Sequence, residues 1–147
     1  MSGLANVAPL KRAAKAPPIV LAEPEADALF ELASIWQRRH PLSAGLLMRE
    51  LERAVAVPLR ELPADVVTMG SQVVFLDRAS GERHSVELVY PGAADMAMGR
   101  VSVLTPIGAG LIGLRVGSVI EWPNRRGERR KLAIVEVVQP PPQEQAA

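Results

Sequence analysis

The chain has 147 residues, 48% of them hydrophobic, and its 17 basic side chains nearly balance 16 acidic ones. This composition predicts one domain with a real core plus an appendage, and the balanced charge argues against bulk attraction to nucleic acid or to a membrane. The absence of cysteine excludes disulfides and thiolate chemistry, and two isolated histidines argue against a metalloenzyme. No apolar run is long enough to cross a bilayer and no signal-peptide pattern opens the chain, so we expect a cytoplasmic protein.

The amino-terminal half is predicted to be helical after a flexible arm, residues 1–18, that is rich in alanine, proline and basic residues. Pro24 opens the first predicted helix, and a second begins near Ser43 as its N-cap. The apolar faces that define these helices comprise Leu29, Leu32, Ala33 and Trp36, and then Leu47, Leu51, Ala54 and Val55. Residues 19–57 therefore predict a short antiparallel helical hairpin, or coiled coil, with arms of roughly 12 residues and a reach of about 18 Å.

The carboxyl-terminal part, residues 58–139, has mostly the alternating pattern of strands and ends in a second flexible tail, residues 140–147. Arg78–Gly81 is a turn between the first two predicted strands. The predicted strands are 66–77, 82–90, 100–104, 116–122 and 131–138. Together they indicate a small antiparallel sheet, so the predicted fold class is α+β.

The segment Thr105–Gly113 combines one proline and three glycines with apolar residues and carries no charge. Proline suits the first turn of a helix, and glycine permits close backbone approach. The pattern predicts a short helix that crosses the sheet and serves either for docking or for packing.

A turn between the last two predicted strands concentrates positive charge. It contains five cationic side chains and the single carboxylate of Glu128. The cationic residues are Arg125, Arg126, Arg129, Arg130 and Lys131. They could contact phosphate or an acidic protein surface, or they could keep a solvated sheet edge from aggregating.

Five short motifs occur in one order: Val67–Ser71, Leu88–Pro91, Ala94-Asp95, Ser102–Gly108 and Leu111–Gly113. This order resembles the carboxyl-terminal domain of the Gre-type transcript elongation factors. It more closely resembles the Rnk family, regulators of nucleoside diphosphate kinase. The resemblance covers roughly residues 19–139, and it implies an FKBP-like sheet domain preceded by a short helical hairpin.

The resemblance implies a bacterial protein that binds RNA polymerase at the rim of the secondary channel and regulates transcription. Asp95 and the segment Thr105, Pro106, Ile107 and Gly108 would belong to the polymerase-binding surface. The hairpin tip, Arg38, Arg39 and His40, has no carboxylate, whereas Gre-type tips use an acidic pair to help hold a catalytic magnesium ion. We therefore expect no enzyme activity and no cofactor, and we expect competition with Gre-like or DksA-like factors.

Two other functions remain open. The basic turn at 125–131 could make the protein a nucleic-acid-binding module, although the resemblance favours binding to the polymerase over direct binding to nucleic acid. An FKBP-like fold also suggests peptidyl-prolyl isomerase activity, but the sheet domain has only Phe75, Tyr90 and Trp122 to line an aromatic pocket. The sequence leaves the oligomeric state open.

Overall fold

A short strand and two helices open the computed structural model, which describes residues 17–123 and 128–141. Strand β1 (Val20–Ala22) leads into helix α1 (Glu23–Trp36), and helix α2 (Pro41–Arg53) leads into β2 (Val55–Val57). Strands β1 and β2 pair in parallel. This pairing is possible because the two helices between the strands return the chain to the same end.

Proline starts both helices. Pro24 lies in the first turn of α1 beside acidic residues, which suit a helix amino terminus. The prediction that Ser43 caps α2 is wrong, because Pro41 already starts this helix and His40 occupies the cap position without a side-chain hydrogen bond. Val55 lies beyond α2 in strand β2 and is exposed, so it is not part of the apolar face of the helix.

None of the helices in the described ranges has the length and apolarity needed to cross a bilayer.

Five strands form the main sheet, in the spatial order β5-β4-β3-β7-β6. Their bounds are β3 (Gln72–Asp77), β4 (Arg83–Val89), β5 (Arg100–Ser102), β6 (Val119–Pro123) and β7 (Arg129–Val138). The third helix, α3 (Pro106–Leu111), follows β5, so the short helix predicted from its proline and glycines is confirmed.

The prediction of a wholly antiparallel sheet is wrong for one pair of strands. β5 pairs in parallel with β4, starting with Arg100 opposite Glu87. Residues 90–99 between these strands fold back through two short 3-10 turns, Pro91–Ala93 and Met96–Met98. Strand β5 thus runs beside β4 in the same direction, whereas a tight hairpin would have reversed the chain.

The first strand of this sheet is shorter than the predicted span 66–77. Gly70 has a φ of +83°, so the chain bends before β3 begins. Upstream of the bend, Val66 pairs only through an isolated bridge to Arg115. The predicted turn at 78–81 is confirmed, because β3 and β4 pair in antiparallel register around it.

One hydrophobic core joins the helices to the sheet. Leu29 and Leu47 from the two long helices are fully buried in the same cluster as Val73 and Leu88 from the sheet. Leu111 of α3 belongs to this cluster as well. The helical pair therefore packs on the body of the protein through its apolar faces.

Candidate docking surface

Thr105 connects the start of α3 to the end of β5. It is the N-cap of α3, and its hydroxyl accepts a hydrogen bond of 3.1 Å from the Gly108 amide. The same hydroxyl donates a 2.6 Å hydrogen bond to the Ser102 carbonyl. This network holds Pro106 at the exposed first position of the helix, where the absence of an amide proton costs nothing.

The next two residues of the predicted surface point toward the protein interior. Ile107 is partly buried and packs against the core. Gly108 is buried, and a Cβ atom there would overlap the Ser102 carbonyl oxygen and lie 2.8 Å from Val103 Cα. Gly108 thus permits close helix–sheet packing, and Pro106 and the edge of Thr105 are the accessible part of this segment.

Asp95 lies in the fold-back segment, residues 90–99. Its backbone amide and carbonyl pair with Arg100 at 3.0 Å and 2.9 Å, at the amino end of β5. Its side chain is exposed and has no partner among residues 17–123 and 128–141. Thr105 lies beyond the other end of β5, so the short strand separates the two parts of the predicted surface.

The fold-back segment also exposes apolar side chains that the sequence analysis did not single out. Met96 and Met98 are 75% and 66% exposed, and Tyr90 at the start of the segment is exposed as well. Methionine is common at binding surfaces because its thioether is flexible and polarizable. The signal in the sequence was two methionines in a short segment without helical or strand periodicity.

The hairpin tip is cationic and solvent-exposed. Arg38, Arg39 and His40 are all exposed, and the His40 ring lies 5.1 Å from the ring of Trp36. The tip sequence contains no Asp or Glu. Across the described ranges, no three histidine or acidic side chains come together as a possible metal site.

The basic turn is only partly available as a charged surface. Arg130 forms a 2.9 Å ion pair with the buried Asp77 and lies 4.0 Å from Glu128. Burial raises the pKa of Asp77, but hydrogen bonds from Arg130 and from the amides of Ala79 and Ser80 outweigh it and hold that pKa below its usual value. Arg130 is therefore a structural residue, whereas Lys131 is exposed.

Other parts of the sequence predictions lie outside the described residues. These are Arg125, Arg126 and the side chains of Arg129 and Trp122. Of the aromatic residues considered for an isomerase pocket, Phe75 is buried in the core beside the His84 ring, so it does not line an open pocket.

A buried carboxyl group joins α1 to the segment before β3. Glu25 Oε2 accepts a 3.2 Å hydrogen bond from the Met69 amide. Glu25 Oε1 is buried and has no hydrogen-bond partner in the described part of the chain. Burial raises the pKa of Glu25 more than this single hydrogen bond lowers it. Burial, together with the Glu25 charge, also raises the pKa of Tyr90.

The free energy of unfolding is expected to fall as the pH rises from about 4.5, the ordinary pKa of a glutamate, through the higher pKa that Glu25 has in the folded protein. In this window the folded protein holds the carboxyl proton more tightly than the unfolded chain does, so deprotonation favours unfolding. Glu25→Gln removes the ionisation and should flatten this part of the profile. Urea denaturation at several pH values measures the effect, with Glu23→Gln in the same helical turn as the control. Identical profiles for the wild type and Glu25→Gln would show that Glu25 is not held in this environment.

Comparisons with known proteins agree with this fold and its motifs. Residues 62–139 match the family model for the transcription elongation factor GreA/GreB, C-terminal domain. The chain is 40% identical over 102 residues to the regulator of nucleoside diphosphate kinase from Escherichia coli K12, covering 66% of this chain and 75% of that protein. It is 40% identical over 78 residues to the transcription elongation factor GreA of Rhodospirillum rubrum, which spans 50% of each protein.

Solved structures extend the comparison to three dimensions. A prokaryotic transcription elongation factor GreA/GreB from Nitrosomonas europaea superposes with a TM-score of 0.70 at 37% identity. The match covers 83% of this chain and 98% of that chain. The predicted α+β class and the resemblance stated from the five motifs are confirmed. The regulator of nucleoside diphosphate kinase is thus one of the relatives of this chain. The chain therefore belongs to the GreA/GreB carboxyl-terminal domain family of bacterial transcription factors.

Proposed function

We propose that this protein binds bacterial RNA polymerase at the rim of the secondary channel and regulates transcription. The observation that carries the proposal is the family match over residues 62–139, which includes both α3 and the fold-back segment. The binding surface consists of Pro106 with the exposed edge of Thr105, and of Asp95 with Met96 and Met98. An apolar surface beside a carboxylate without a partner in the described ranges suits a partner surface that carries a cation next to an apolar patch.

The protein does not stimulate transcript cleavage in this proposal. Delivery of a magnesium ion needs carboxylate oxygens, and the tip carries Arg38, Arg39 and His40 instead. The helices of the pair have 14 and 13 residues, so each is only about 20 Å long. Because their apolar faces are buried in the shared core, the part that extends beyond the body is shorter still.

The proposed organisation is a helical hairpin, residues 19–57, followed by an FKBP-like domain, residues 58–139. A protein of this design occupies a docking surface without catalysing a reaction, and it would exclude Gre-like or DksA-like factors that use the same surface. We further propose that it acts in the cytoplasm, without a cofactor, and influences nucleoside diphosphate kinase. The E. coli relative is a regulator of nucleoside diphosphate kinase, which supports the last point.

Binding to purified core RNA polymerase without DNA tests the proposal. The wild-type chain should bind and should be displaced by a Gre-type factor. Asp95→Lys should weaken binding by about tenfold or more, because it places a like charge against the proposed cationic partner. Glu61→Lys, another exposed carboxylate, is the control for the change in charge.

Two results would contradict the proposal. If Asp95→Lys and Glu61→Lys bind the polymerase as tightly as the wild type, Asp95 is not part of the interface. A cleavage assay on a stalled elongation complex should show no transcript shortening when the protein is added. Shortening would overturn the non-catalytic role.

A further inference from the structure

The fold-back segment places two oxidisable sulfur atoms in solvent. All the sulfur of this chain is in methionine, since it has five methionines and no cysteine. Met96 and Met98 are 75% and 66% exposed, whereas Met69 is only 8% exposed and Met48 is partly buried against the core. Met1 lies outside the described residues. An oxidant that approaches the folded protein from solvent therefore reaches Met96 and Met98 before Met48 or Met69.

Backbone hydrogen bonds hold the fold-back segment in place without the help of these two thioethers. Asp95 and Arg100 exchange two such bonds, at 3.0 Å and 2.9 Å. The Gly99 amide donates a 3.1 Å bond to the Met96 carbonyl, and the Met98 amide donates a 3.0 Å bond to the Asp95 carbonyl. A chemical change at the sulfur atoms leaves all of these bonds intact. It should therefore alter the surface without unfolding the segment.

We infer that Met96 and Met98 form a reversible oxidation site that controls the affinity of the docking surface. The oxidant is a peroxide such as hydrogen peroxide. The thioether sulfur forms a bond to one peroxide oxygen, the O–O bond breaks, and the other oxygen leaves as water with both protons. Sulfur is oxidised to a sulfoxide and the peroxide is reduced. The inference rests on the proposed docking to RNA polymerase, in which these two side chains supply apolar contact area.

Oxidation changes exactly the property that the docking surface uses. A sulfoxide is polar, so burying it against an apolar patch of a partner requires its desolvation without a matching hydrogen bond. Oxidation of Met69 would have a different result, because Met69 belongs to the hydrophobic core and a sulfoxide there would disturb the packing. Loss of binding and loss of stability therefore distinguish oxidation of the surface from oxidation of the core.

The test treats the purified full-length protein with hydrogen peroxide and removes the peroxide before core RNA polymerase is added. Peptide mass spectrometry should find sulfoxide at Met96 and Met98 forming about fivefold faster or more than at Met48 and Met69. The oxidised wild type should bind polymerase about tenfold more weakly, with an unchanged urea midpoint. Methionine sulfoxide reductases, one for each sulfoxide epimer, should restore the binding.

Two variants assign the effect to these side chains. Met96→Leu/Met98→Leu removes both exposed sulfur atoms and keeps apolar side chains of similar volume. The affinity of this variant before peroxide treatment and its affinity afterwards should agree within about twofold. Met48→Leu is the matched control on α2, and it should lose affinity on oxidation as the wild type does.

The contrary outcomes separate this inference from the proposed function. If the untreated wild type does not bind polymerase, both are overturned. If it binds, and the protein with sulfoxide at Met96 and Met98 binds equally well, only this inference is overturned. The inference also fails if Met48 or Met69 is oxidised first, if the double leucine variant loses affinity after peroxide, or if oxidation lowers the urea midpoint.

Discussion

Replacing Gly108 by alanine is expected to lower the free energy of unfolding by at least about 3 kcal/mol. The added Cβ would overlap the Ser102 carbonyl oxygen and lie 2.8 Å from the Ser102 carbonyl carbon. These are backbone atoms at the end of β5, so no side-chain rotation relieves the overlap. The same carbonyl accepts hydrogen bonds from the amide and hydroxyl of Thr105, so a shift of the helix would strain the N-cap as well.

Gly45→Ala is a matched control for this prediction. Gly45 also lies inside a helix, but a Cβ there would meet nothing within 4 Å. Alanine should therefore stabilise α2 by up to about 1 kcal/mol, because glycine is a poor helix former. Chemical denaturation of both variants measures the difference. A loss of less than about 1 kcal/mol for Gly108→Ala would contradict the close contact between α3 and β5.

Replacing Gly113 by alanine is expected to lower the free energy of unfolding by at least about 3 kcal/mol, for two reasons that add together. The backbone has a φ of +80°, in the left-handed region that disfavours residues with a Cβ. The new Cβ would also overlap Cγ2 of Ile19, which is buried just before β1. Gly113 thus allows the start of the helical part to lie against the sheet domain, where its carbonyl accepts a 3.1 Å hydrogen bond from the Val20 amide.

A double-mutant cycle with Ile19→Ala separates the two causes. Without Cγ2, the Gly113→Ala change should lower the free energy of unfolding mainly by the left-handed backbone energy, about 1–2 kcal/mol. A smaller loss remains, because the new Cβ would still lie 3.2 Å from Ile19 Cβ and 3.2 Å from the Val20 carbonyl oxygen. Gly81→Ala measures that energy alone, because Gly81 has a φ of +78° and open space around it. Urea denaturation of the four proteins in the cycle gives the coupling. A coupling energy near zero would show that Ile19 does not pack against Gly113.

The sequence identified the residues of the proposed docking surface but not how the fold arranges them. The motifs identified Asp95 and the segment beginning at Thr105, and a proline at a helix start is a local feature of the sequence. Strand β5, which separates Asp95 from Thr105, is placed by its parallel pairing with β4, and that pairing depends on the return of the chain through residues 90–99. Exposure of Met96 and Met98 follows from the same fold-back, and no periodic pattern in the sequence encodes it.

Periodicity, turn chemistry and motif order along the chain were enough to predict the two long helices, the β-hairpin around Gly81, the short helix after β5 and the family. The folded structure was needed to show which glycines are packing residues, that the Glu25 carboxyl group is buried and that Arg130 forms an ion pair with a buried carboxylate. These features arise from contacts between residues far apart in the chain, such as Glu25 with Met69 and Arg130 with Asp77. Local composition cannot encode such contacts, since they form only when the core brings the segments together.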